Sequence, residues 1–81
     1  MPGLWKYQYG ENSISVNSAL AGSELRVNGQ LQDRKNGFSL STELSGKLPD
    51  GKEIKASVGG IMTVQCSLFV EHVLQKPIEV K

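Results

Sequence analysis

Strict alternation of apolar and polar residues constrains this chain more than any other feature. Phe38, Leu40, Thr42 and Leu44 alternate with Ser39, Ser41, Glu43 and Ser45, and a period of two places each set on its own face of an extended strand. No window of useful length carries the spacing of an amphipathic helix. The segment Lys-Leu-Pro-Asp-Gly-Lys follows at residues 47 to 52. Pro49 suits the first corner of a type I turn and Gly51 the left-handed position that forms a bulge. Such a turn pairs Leu48 with Lys52, Lys47 with Glu53, Gly46 with Ile54, Leu44 with Ala56 and Thr42 with Val58, so apolar side chains meet across the hairpin.

Two Asn-Gly pairs mark further reversals. If Asn28 and Gly29 form the two central residues of a type I′ turn, Val27 faces Gln30 and Leu31 falls opposite Arg26, away from the apolar face. Moving the turn back by one residue, with Gly29 in the bulge position, pairs Leu25 with Leu31, and that register is the one expected. Asn36-Gly37 as a two-residue turn pairs Lys35 with Phe38 and Leu31 with Thr42, with Asp33 falling inward opposite Leu40. Together these turns predict a four-strand meander over about residues 23 to 58.

The apolar row Met62, Val64, Cys66, Leu68 and Val70 does not extend that meander through a tight Gly59-Gly60 hairpin, because Thr63 would then face Ala56 and the row would turn outward. A change of sheet is expected there, since glycines let a strand bend sharply. The second layer would draw on Leu4 to Tyr9, a short strand around Ile14 and Val16, and Ile78 to Val80 after Pro77. Residues Asn17 to Ser23 are the expected crossing loop. The result is one all-β domain over residues 1–81, a small antiparallel β-sandwich or flattened barrel of seven to eight strands with a central meander.

Composition narrows the function classes. At 81 residues the chain has room for a thin core. Nine Lys plus Arg against eight Asp plus Glu leave a formal charge of +1, too small to imply a nucleic-acid partner. A single cysteine, Cys66, rules out an intramolecular disulfide framework and points to a reducing, cytoplasmic location. The opening residues MPGLWKYQYG hold no apolar run of signal-peptide length. No stretch approaches the roughly 20 apolar residues that cross a bilayer as a helix, so no membrane partner is expected.

No catalytic constellation is visible. Cys66 and His72, the sole residues of their kinds, lie six positions apart in one expected strand of residues 61 to 74. At about 3.3 Å per residue that is roughly 20 Å, too far for a nucleophile and its base. Cys66 reads as a small core residue and His72 as a partly exposed polar one. Histidine, cysteine and two aspartates, Asp33 and Asp50, offer no metal-ligand spacing. Glu43 and Glu53 share the polar face with Lys47 and Lys55, where surface ion pairs worth under about 1 kcal/mol each are expected. The sequence predicts no enzyme, no metal and no cofactor.

Two features suggest binding. Trp5, Tyr7 and Tyr9 alternate with Lys6 and Gln8, so a strand sets all three rings on one face. Exposed, they would form a platform for carbohydrate or another flat ligand, whereas burial of Trp5 and Tyr7 would spend them on the core. The other feature is the face opposite Met62 to Val70, which carries Ile61, Phe69 and Val73 among polar residues. These three are the candidate interface with a protein partner or with a second copy in a homodimer, unless the C-terminal segment covers them. The leading expectation is a non-enzymatic protein-interaction or assembly module; the alternative is ligand binding through the aromatic face.

Overall fold

Each alternating segment folds as a strand that buries one face. The computed structural model describes residues 3–37, 41–60 and 63–81, and among these residues nine strands form two antiparallel sheets. Sheet A contains β1 (Gly3–Tyr9), β2 (Asn12–Ala19), β3 (Gly22–Val27), β4 (Gln30–Asn36) and β9 (Glu79–Val80), in the order β4-β3-β2-β1-β9. Sheet B is the consecutive run β5 (Ser41–Lys47), β6 (Glu53–Gly59), β7 (Gln65–Val70) and β8 (Val73–Gln75). The two stack as a flattened sandwich that does not close into a barrel.

The core lies between the sheets. Trp5, Tyr7, Ile14, Val16, Leu25 and Val27 from sheet A meet Leu44, Ile54, Ala56, Val58, Leu68 and Val70 from sheet B. Burying a Val, Leu or Ile side chain contributes roughly 1.5–3 kcal/mol, and this single layer supplies most of what holds so short a chain together. The Trp5 ring also covers Gly3 so closely that a Cβ there would lie 2.6 Å from the indole.

The Pro-Asp-Gly hairpin follows its sequence. Lys47 pairs with Glu53, Gly46 with Ile54, Leu44 with Ala56 and Thr42 with Val58. Leu48 donates its amide to the Lys52 carbonyl at 2.9 Å, and Gly51 takes a φ of 94°, the left-handed conformation the bulge requires.

The Asn28-Gly29 turn takes the register that the sequence disfavoured. Val27 pairs with Gln30, Arg26 with Leu31 and Leu25 with Asp33, while Asn28 and Gly29 have φ of 50° and 82°, both positive as a type I′ turn demands. Leu31 is accordingly 48% exposed and does not meet Leu25. The reason is non-local. Asn28 donates its amide to the Ser13 carbonyl at 2.8 Å, accepts from the Ser13 amide at 2.9 Å and donates from its side chain to Asn12 at 3.0 Å. These bonds anchor the turn to the start of β2, and a β-bulge at Leu25/Arg26 restores the inward parity that Leu31 loses.

Three further expectations are corrected. The meander over residues 23 to 58 is split, because β4 ends sheet A and β5 begins sheet B. Gly37 donates to the Ala21 carbonyl at 2.8 Å, which ties this end of β4 to the β2–β3 turn. The expected pairings of Phe38 and Leu40, and the apolar position Met62, lie outside the described residues. The chain does not change sheets at Gly59-Gly60 either. Val58 pairs with Cys66, Ala56 with Leu68 and Ile54 with Val70, a register reached through a longer connection than the tight hairpin considered from sequence. Asn17 to Ser23 is no crossing loop: Asn17 pairs with Glu24, Ser18 with Ser23 and Ala19 with Gly22, leaving only Leu20 and Ala21 to turn.

The expected strand of residues 61 to 74 also breaks. Glu71 and His72 form a two-residue turn, and β8 returns along β7 with Val70 opposite Val73, Phe69 opposite Leu74 and Leu68 opposite Gln75. This extra hairpin accounts for the ninth strand.

Candidate functional site

The aromatic ladder is resolved by burial. Trp5 is 6% and Tyr7 2% exposed, because their face of β1 is the one turned toward sheet B. Tyr9 packs partly buried against the same core. An exposed three-ring platform is therefore not present on β1, which removes the stacking surface expected for a carbohydrate ligand.

Tyr7 instead has a structural partner. Its hydroxyl donates to the Cys66 sulfur at 3.5 Å, linking β1 of sheet A to β7 of sheet B. Burial, and then this bond, push the Tyr7 hydroxyl well above the usual tyrosine range. Burial likewise pushes the Cys66 thiol up, against a smaller opposing effect of the Tyr7 bond. A partly buried thiol that holds its proton more tightly than usual is a poor nucleophile. His72 lies in the β7–β8 turn and is exposed, while Cys66 faces the sandwich interior. Among the described residues, no three His, Cys, Asp or Glu side chains gather where a metal ion could be held.

The outer face of sheet B holds a shallow basin. Cross-strand partners share a face, so Ser45, Lys55, Phe69 and Leu74 form one transverse row. Glu43 and Ser57 lie in the adjoining row. Phe69, Lys55, Glu43, Glu53 and His72 line a depression of about 470 Å³ over these rows. The ion pairs expected of Lys47 and Lys55 with Glu43 and Glu53 are not formed among the described residues. Ion pairs occur elsewhere, between Asp50 and Lys52, between Glu24 and both Arg26 and Arg34, and between Glu79 and both Lys6 and Lys81.

A strained turn borders this basin. Glu71 and His72 have φ of 48° and 69°, positions where Asn-Gly would be the relaxed choice and where a side chain raises the energy of the backbone. Two hydrogen bonds hold the turn in place. Glu71 donates its amide to the Glu53 carbonyl at 2.9 Å, and its carboxylate accepts from the Glu53 amide at 2.9 Å.

The turn rearranges the interface candidates. Phe69 is partly buried on the outer face, but Val73 pairs with Val70, whose side chain is in the core, so Phe69 and Val73 lie on opposite faces of sheet B. Ile61 lies outside the described residues. The residue beside Phe69 is Leu74, 59% exposed, which reading residues 61 to 74 as one strand missed. Its trace in the sequence is faint: Leu68-Phe69-Val70 and Val73-Leu74 bracket the polar pair Glu71-His72, but that pair lacks the glycine or asparagine that marks a two-residue hairpin turn.

No helix among the described residues is long and apolar enough to cross a membrane. Comparison with protein-family models, with curated proteins and with solved structures finds no match for this chain.

Proposed function

We propose that residues 1–81 form a single non-enzymatic β domain that serves as a protein-interaction or assembly module in the cytoplasm, engaging its partner through the outer face of sheet B. The observation that carries this reading is the Phe69–Leu74 pair. It places an aromatic and a well-exposed leucine side by side on a face that is otherwise polar, next to a turn held in a strained conformation. Aromatic residues bordered by polar groups are the usual anchors of protein interfaces, and backbone strain concentrates where a surface has work to do. The unpaired thiol of Cys66 supports the reducing compartment.

Affinity capture from native extract tests the reading. Phe69→Lys should lose the partner that the wild-type chain retains, whereas Leu20→Lys, a substitution at an exposed leucine in the β2–β3 turn of sheet A, should retain it. Equal capture by all three proteins would remove the outer face of sheet B from consideration.

A further inference from the structure

We infer that the β8 edge of sheet B pairs with β8 of a second copy of this chain, antiparallel about a two-fold axis at Leu74, to form one continuous eight-stranded sheet. This rests on the reading of the Phe69–Leu74 surface as an interface and names its occupant.

Backbone parity exposes the edge. Residues flanking a two-residue hairpin turn exchange hydrogen bonds, so Val70 and Val73 bond to each other and the next pair, Phe69 and Leu74, does not. The amide and carbonyl of Leu74 therefore point away from β7, to the side where sheet B ends. An unpaired edge of this kind is a template for another strand.

The other three edges of the sandwich carry features that oppose such pairing. On β5, the outward amides of Ser45 and Lys47 are taken by Asp33 and Gln32 of β4, at 2.9 and 3.3 Å. The β4 edge carries the charges of Arg34 and Lys35 and is bulged. The β9 edge is two residues long and flanked by the ion pairs of Glu79 with Lys6 and Lys81. Among the described strands β8, with the sequence Val-Leu-Gln, is the edge strand with no charged residue in it.

A second copy fits that strip without conflict. Antiparallel pairing centred on Leu74 sets Leu74 against Leu74 of the partner copy and Val73 against its Gln75, with no like charges opposed within the strand. The row on the outer face then reads Phe69, Leu74 and the same two residues of the copy in reverse, which shields part of the Phe69 and Leu74 side chains of both chains from water. The strand's three residues allow only the two central backbone bonds at Leu74, so the association is weak and depends on concentration. That same shortness limits pairing with unrelated chains.

Sedimentation equilibrium over a wide range of concentration tests the inference, with amide hydrogen exchange measured on the same samples. The expected result is a mass rising from one chain toward two, with exchange at Leu74 slowing in step. Leu74→Lys, which sets two ammonium groups at the axis, should keep the chain monomeric with unchanged Trp5 emission, showing that the fold persists. Val80→Lys on the opposite sheet should still dimerise. A monomer at every concentration overturns the inference, as does a dimer that survives Leu74→Lys or leaves Leu74 exchange unchanged. If the wild type stays monomeric while Phe69→Lys still abolishes capture, the homotypic occupant fails and the interaction surface stands. If neither substitution has an effect, both fail.

Discussion

Along the β4–β5 side of the sandwich, side chains of one sheet satisfy the backbone of the other, whereas along the β8–β9 side the two sheets end with apolar residues in water. On the first side Asp33 accepts from the Ser45 amide and Gln32 from the Lys47 amide. The bulge at Leu25/Arg26 is what lets two successive residues of β4 face the same neighbour. Gly46 leaves the room they need, since a Cβ there would lie 2.8 Å from the Gln32 Cβ. On the second side Val73, Leu74, Ile78 and Val80 are all well exposed, and the turn preceding them is strained. The contrast teaches that an edge can be closed without a ladder, by polar side chains alone, and that the side left open is the one where apolar surface and strain coincide.

Crowding the closed side should have the largest effect. Gly46→Val should destabilise the chain by about 1–3 kcal/mol in urea unfolding, although valine is the better strand former, because its side chain must displace Gln32. Asp33→Ala, which removes one charged acceptor and adds no volume, should lose about 1–2 kcal/mol. Unchanged stability in both would show that the closed edge contributes nothing.

The contact between the sheets should respond to alkali independently of either edge. Tyr7 and Cys66 hold their protons more tightly folded than unfolded, so the folded chain binds more protons above the ordinary thiol pKa. Their stabilising contribution is complete below about pH 8.5 and declines as pH rises past it, more steeply beyond about pH 10 where tyrosine joins. In Cys66→Ser the hydroxyl can still accept from Tyr7 but does not titrate, and the decline should begin only near about pH 10. The check is the unfolding free energy measured across pH for both proteins. An onset that does not move would exclude the thiol as its source.

Relieving the open side should produce the smallest change, and one of opposite sign. His72→Gly fits the φ of 69° without a Cβ and should stabilise the monomer by about 0.5–1 kcal/mol. A loss of stability would show that His72 makes a favourable contribution that outweighs the strain.

Much of the architecture was legible in the sequence where the deciding interactions are short in range. The Pro49-Asp50-Gly51 turn sets the pairing of β5 with β6 because turn geometry and cross-strand packing act within about a dozen residues. Burial of Trp5 and Tyr7 was one of the two readings their alternation allowed, and core demand selected it. The register of Leu31 was not legible, because it depends on Asn28 bonding to Asn12 and Ser13 across a neighbouring hairpin. The interface candidates were legible only in part. Phe69 was identified, but its neighbour became Leu74 once Glu71 and His72 turned the chain back, and a strained turn made of such residues carries little propensity signal.

The sequence by itself determined that this chain is made of strands and which residues of most strands face inward, since pleat parity is a local property. Only the tertiary structure decided how the strands divide between two sheets, which edges are closed and where apolar surface remains in water. Those outcomes turn on hydrogen bonds such as Asp33 to Ser45 and Asn28 to Ser13, whose partners lie 12 and 15 residues apart. No periodic pattern encodes bonds of that kind, and they form only when the two hairpins are already side by side.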